Sequence, residues 1–123
     1  MSEMSHDSLD FLTVLEVEPA YDEDAFCVHY RVERDGLLLV LTTFLGEPRA
    51  ELTLKQTDQP KPLVHFSCWV WGEARRVLDK RGESLEFLGC TLGNIWNNER
   101  PKSEDSLVQV QLWIKPQISL ELH

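Results

Sequence analysis

FCVHYRVERDGLLLVLTTF, residues 26–44, is the stretch whose reading decides the fold class. In an extended chain Phe26, Val28, Tyr30 and Val32 share one face. Cys27, His29, Arg31 and Glu33 share the other. A hydrophobic period of two marks a half-buried strand. At the centre stands Asp35-Gly36, a pair favoured where a two-residue hairpin turn needs positive φ at both positions. Counting outward from that turn pairs Arg34 with Leu37, Val32 with Leu39, Tyr30 with Leu41 and Val28 with Thr43. One face of the hairpin is then apolar. The other pairs Arg31 with Val40 and His29 with Thr42, a mixed set.

The same period continues in both directions. FLTVLEVE (11–18) reads as a strand and PAYDEDA (19–25) as a loop. LGEP (45–48) is a turn, RAELTLK (49–55) a strand, and QTDQPKP (56–62) a polar loop with two prolines. LVHFSCWVW (63–71) is a further strand. GEARRVLDKRG (72–82) admits a short helix between its glycines. It also admits a strand ARRVL, a turn DKRG and a returning strand ESLEFLGCTL (83–92). The hairpin is preferred, because a short helix is marginal on its own. GNIWNNERPKSED (93–105) is a polar connection, and LVQVQLWIK (107–115) alternates cleanly. Pro116 interrupts a ladder, so it marks an edge or a bulge, and QISLEL (117–122) closes the chain. Eight or nine short strands at regular spacing predict an all-β protein. The expected architecture is an antiparallel β-sandwich or barrel-like pair of sheets with at most one short helix. One domain over 1–123 is expected, with residues 1–9 as a flexible N-terminal tail.

The chain of 123 residues carries a formal charge of −9. Residues 1–35 hold ten acids and two bases, whereas residues 36–123 are nearly balanced. A negative field repels phosphate backbones and anionic lipid, so neither nucleic acid nor a membrane is an expected partner. A basic protein or a cation suits it better. The apolar runs are too short to span a bilayer, and the N-terminus lacks the pattern of a secretory leader. Three cysteines, Cys27, Cys68 and Cys90, cannot all pair within one chain and show no metal-ligand spacing. Free thiols and a cytoplasmic location are expected.

In the strand 63–71, Val64, Phe66, Cys68 and Val70 form the better core face. Trp69 and Trp71 then share the other face with His65 and Ser67. Trp113 similarly alternates with Gln109, Gln111 and Lys115. Indoles set among polar residues suit half-wet surfaces. Trp69, Trp71, His65 and Trp113 are therefore the candidate ligand or partner surface, a buried second layer being the alternative. Glu16 and Glu18 would share a strand face, and Asp22, Glu23 and Asp24 form an acidic loop lacking the pattern of a calcium-binding loop. These five are the candidate acidic partner surface. Cys27 and His29 share a strand face but are expected to sit too far apart for an easy bond. Arg75, Arg76, Lys80 and Arg81 make a basic cluster that could meet the acidic region of a neighbouring copy, so a homo-oligomer is possible.

No catalytic motif, cofactor fingerprint or metal cluster is expected. The reading is a non-catalytic protein-binding module with an acidic, tryptophan-bearing surface. One specific form is an inhibitor or immunity-type protein that masks a basic toxin or nuclease. The alternatives are a carbohydrate- or small-ligand-binding sandwich stacking on Trp69, Trp71 or Trp113, and a small enzyme using Glu16, Glu18 or His29.

Overall fold

A computed structural model describes residues 4–92 and 107–123. The polar connection 93–105, with Trp96, lies outside the described residues. The described chain forms one helix, α1 (Ser8–Leu15), and nine strands. These are β1 (Ala20–Asp22), β2 (Cys27–Arg34), β3 (Leu37–Phe44), β4 (Arg49–Gln56), β5 (Val64–Val70), β6 (Ala74–Asp79), β7 (Gly82–Leu92), β8 (Val108–Trp113) and β9 (Ser119–Leu122).

All nine strands join one antiparallel sheet that does not close. β1 to β5 run as one meander and β6 to β9 as another. They meet where Cys68, Trp69 and Val70 pair with Leu92, Thr91 and Cys90. β7 is long enough to pair with β6 through residues 82–87 and with β5 through residues 90–92, while β8 takes its other edge. The all-β antiparallel class holds, realised as a single curled sheet.

The 26–44 hairpin has the register counted from its turn, from Arg34–Leu37 out to Val28–Thr43. Asp35 (φ 52°) and Gly36 (φ 77°) are both left-handed, as the turn requires. Residues 72–92 form the preferred hairpin. The connection between β5 and β6 passes so close to β7 that a Cβ on Gly72 would lie 2.6 Å from the Leu88 carbonyl oxygen.

Three expectations need correction. Residues 11–18 do not form a strand. Phe11, Val14 and Leu15 are buried on one side of α1, the i, i+3, i+4 spacing of a helix. Asp7 caps its start by accepting the Leu9 N–H at 2.9 Å, and Glu16 (φ 59°) ends it in the left-handed conformation. Eight residues are too few for an independent helix, so packing holds this one. Phe11 supplies that packing, with ring centroids 5.5 Å from Tyr30 of β2 and 6.0 Å from Phe87 of β7. Residues 4–9 are not a tail either. Met4 belongs to the core, and the Ser5 carbonyl accepts the Ala74 N–H at 2.9 Å. Phe26, expected on the core face, adopts φ 49° and is 64% exposed.

The core lines the concave face. Tyr30, Val32, Leu39, Leu41, Leu52, Val70, Leu85, Phe87, Val110 and Leu112 meet there beneath α1. Val110, Leu112 and Ile114 come from the predicted apolar face of 107–115.

Candidate functional site

The convex face carries the residues left over by the alternation. Its rows follow from the registers. His29, Thr42, Glu51 and Ser67 lie across β2 to β5, with Trp69 opposite Arg49 one row on. The polar members are paired. Ser67 Oγ donates to Glu51 at 3.3 Å, and His65 Nδ1 bonds Thr53 Oγ1 at 2.7 Å. A half-buried sheet face needs such pairs, because an unsatisfied polar group is costly.

Trp69 and Trp71 stack at 5.9 Å with a 15° interplanar angle. Neither belongs to the core cluster. Trp69 is only 5% exposed, and its indole N–H has no hydrogen-bond partner among the described residues. Trp71 is half-buried and donates to Thr91 Oγ1 at 3.1 Å. The pair is thus a second layer whose outer member reaches solvent. Trp113 is 3% exposed, with the Arg81 guanidinium 4.0 Å above its ring. It floors a cavity of about 420 Å³ rimmed by Lys80, Arg81, Lys115 and Pro116. Trp69 and Trp113 therefore offer no open stacking face.

The strand registers gather some candidates and separate others. The β1–β2 turn, the β3–β4 turn and the end of β5 share one end of the sheet. Asp22, Glu23 and Asp24 thus lie at the same end as Trp69 and Trp71. His65 lies toward the other end of β5. Glu16, at the end of α1, is bound to Lys115 Nζ at 2.6 Å. With α1 in place of a strand, Glu16 and Glu18 share no strand face. Glu18 is exposed in the connection to β1.

Two exposed residues at this end of the sheet escape sequence reasoning, Tyr21 and Phe26. They are 57% and 64% exposed and flank Asp22, Glu23 and Asp24 in the turn. The signal was present as two aromatics bracketing three carboxylates. Asp22 shapes the turn, its Oδ1 accepting the N–H groups of Asp24 and Ala25 at 3.1 and 3.2 Å.

Cys27 and His29 are also corrected. Cys27 Sγ lies 3.4 Å from His29 Nε2, because side chains on one strand face lean along the strand. Asp22 Oδ2 is 3.9 Å from the same nitrogen. A nucleophile–base–acid relay needs the acid on the opposite imidazole nitrogen. Here that nitrogen, Nδ1, bonds Thr42 Oγ1 at 2.8 Å. Burial pushes the Cys27 thiol up, and the Asp22 and Glu51 carboxylates push it the same way against Arg49. A reactive cysteine needs the reverse shift.

The three arginines of the basic cluster are engaged within the chain. Arg75 faces Glu86, Arg76 faces Glu83, and Arg81 pairs with Glu121. Among the described residues no helix is long and apolar enough to cross a membrane.

No protein-family model and no curated protein matches the sequence. Among solved structures, the chain is similar to one in the contact-dependent growth inhibition toxin–immunity protein complex from Klebsiella pneumoniae 342. The TM-score is 0.75 at 15% identity, covering 98% of this chain and 96% of the other. The likeness extends over the whole fold.

Proposed function

We propose that this protein is a non-catalytic binding module of the inhibitor or immunity type, which sequesters a basic protein partner such as a toxin domain. The observation that carries the proposal is the β1–β2 turn. Tyr21 and Phe26 stand exposed on either side of Asp22, Glu23 and Asp24. Exposed aromatics are the usual anchors of an interface, and clustered charge steers and orients the encounter. Trp71 extends the same end of the sheet. The whole-chain likeness to a member of a toxin–immunity complex supports the reading from a separate direction. The converging geometry around His29 Nε2 favours binding over catalysis, since it lacks the order of a proton relay.

The test is capture of the partner from the native cell on immobilised protein, comparing wild type with Phe26→Ala and with Asp24→Lys. One basic protein should be held in equal amount by the wild type. Either variant should weaken it roughly thirtyfold, the about 2 kcal/mol of an interface hot spot, with the melting profile unchanged. An equally tight complex with both variants would move the interface elsewhere. Absence of any stoichiometric protein partner would refute the proposal.

A further inference from the structure

We infer that Asp22, Cys27 and His29 form a binding site for a divalent ion of the zinc class. The inference is independent of the partner reading. Cys27 Sγ, His29 Nε2 and an Asp22 carboxylate oxygen all lie within 4.8 Å of one another. The sulfur–nitrogen distance is 3.4 Å and the nitrogen–oxygen distance 3.9 Å. Standard bond lengths put tetrahedral zinc ligands about 3.5 Å (S to N) and about 3.3 Å (N to O) apart. The sulfur–nitrogen edge thus already has tetrahedral spacing and the nitrogen–oxygen edge is about 0.6 Å long, while the third edge, sulfur to carboxylate, is no longer than 4.8 Å.

The surroundings fit the same chemistry. The tautomer that leaves Nε2 bare carries its proton on Nδ1, where Thr42 Oγ1 lies 2.8 Å away to accept it. Such an outer hydrogen bond fixes the ring of a metal-bound histidine. Asp22 Oδ1 is occupied by the turn amides, which holds Oδ2 toward the histidine. The convergence of thiol and carboxylate on one nitrogen, awkward for a relay, is what chelation requires. A sulfur–nitrogen–oxygen set suits zinc and its neighbours rather than calcium or magnesium, which favour oxygen. Cys27 is buried, but the side chains of Asp22 and His29 are partly open to solvent, so an ion can enter from their side. On binding, the Cys27 thiol proton passes to the solvent, and a fourth position stays open.

Titration of the reduced full chain with Co2+ tests the site. One equivalent should produce a thiolate-to-cobalt charge-transfer band that one equivalent of Zn2+ abolishes. Cys27→Ser should remove the band and His65→Gln should leave it intact. Asp22→Asn, which keeps the turn acceptor, should weaken Co2+ at least tenfold, and Thr42→Val about tenfold. No band in the wild type would overturn the inference. So would a band that persists in Cys27→Ser, because Cys68 or Cys90 would then be the ligand. Should Cys27→Ser fail to fold, Asp22→Asn decides, and wild-type affinity in that variant overturns the site.

Discussion

Replacing Phe11 with alanine tests the packing of α1. Phe11 is fully buried and touches Tyr30 of the first meander and Phe87 of the second. Its removal takes a ring from water-free contact and leaves a hole between two rigid strands. Core phenylalanine truncations cost about 3–5 kcal/mol. A domain's whole stability is about 5–15 kcal/mol, so the variant should stay folded with a much reduced margin. For a chain of this size each kcal/mol moves Tm by roughly 3–5 °C, so a fall of roughly 9–25 °C is expected. The assay is urea and thermal unfolding followed by circular dichroism. Two companion variants separate a docked helix from a strand. Leu9→Ala alters an exposed side chain and should change stability by no more than about 0.5 kcal/mol. Asp7→Ala removes the cap and should cost about 1 kcal/mol. If Phe11→Ala costs no more than Leu9→Ala, and Asp7→Ala costs nothing, the helix is not docked and the reasoning fails.

Gly36→Val places a β-branched residue at φ 77° and should cost about 1 kcal/mol or more, read from the unfolding midpoint. In variants keeping one tryptophan of the stacked pair, Trp71 should be quenched by acrylamide and emit to the red of Trp69; two equally protected indoles would contradict the layering. Thiol counting on the denatured, unreduced protein should find three free cysteines. The Cys68 thiol is held well above its ordinary value by its hydrogen bond with Cys90 and then by burial. A raised native value means the folded state keeps a proton that the unfolded state loses. This contribution is therefore complete below about pH 8.5 and declines as pH rises toward the native value, by up to about 1.4 kcal/mol per unit. Urea midpoints from pH 7 to 10 should show the decline and Cys68→Ala should lessen it, the raised Cys27 thiol keeping its own share; an unchanged slope would assign the effect elsewhere.

Strand periodicity was legible wherever a turn pinned the register. Asp35-Gly36 fixed eight pairs of the β2–β3 ladder by counting alone. Residues 11–15 failed because Phe11, Thr13 and Leu15 also satisfy a period of two, and a run of five residues cannot separate that from Phe11, Val14 and Leu15. The cap at Asp7 was the better evidence. Phe26 failed because its left-handed backbone breaks the alternation just before the first residue of β2, which no periodicity reports. The tryptophan faces were correctly divided from the core, yet their depth depends on what neighbouring strands lay over them. The arginine above Trp113 comes from the β6–β7 turn, far away in sequence. The Asp22–Cys27–His29 group was hidden because sequence spacing measures the backbone, whereas side chains leaning along a strand close the gap.

The position of Phe11 also sets a schedule. It lies in the earliest element of the described chain, and one of its three ring partners, Phe87, lies 76 residues later. At about 5–20 residues per second, a ribosome needs roughly 4–15 s to make that interval. Throughout it Phe11 has the rings of His6 and Tyr30 to pack on but lacks that of Phe87. The helix, made before the strands it packs on, thus completes its packing only after the last of them.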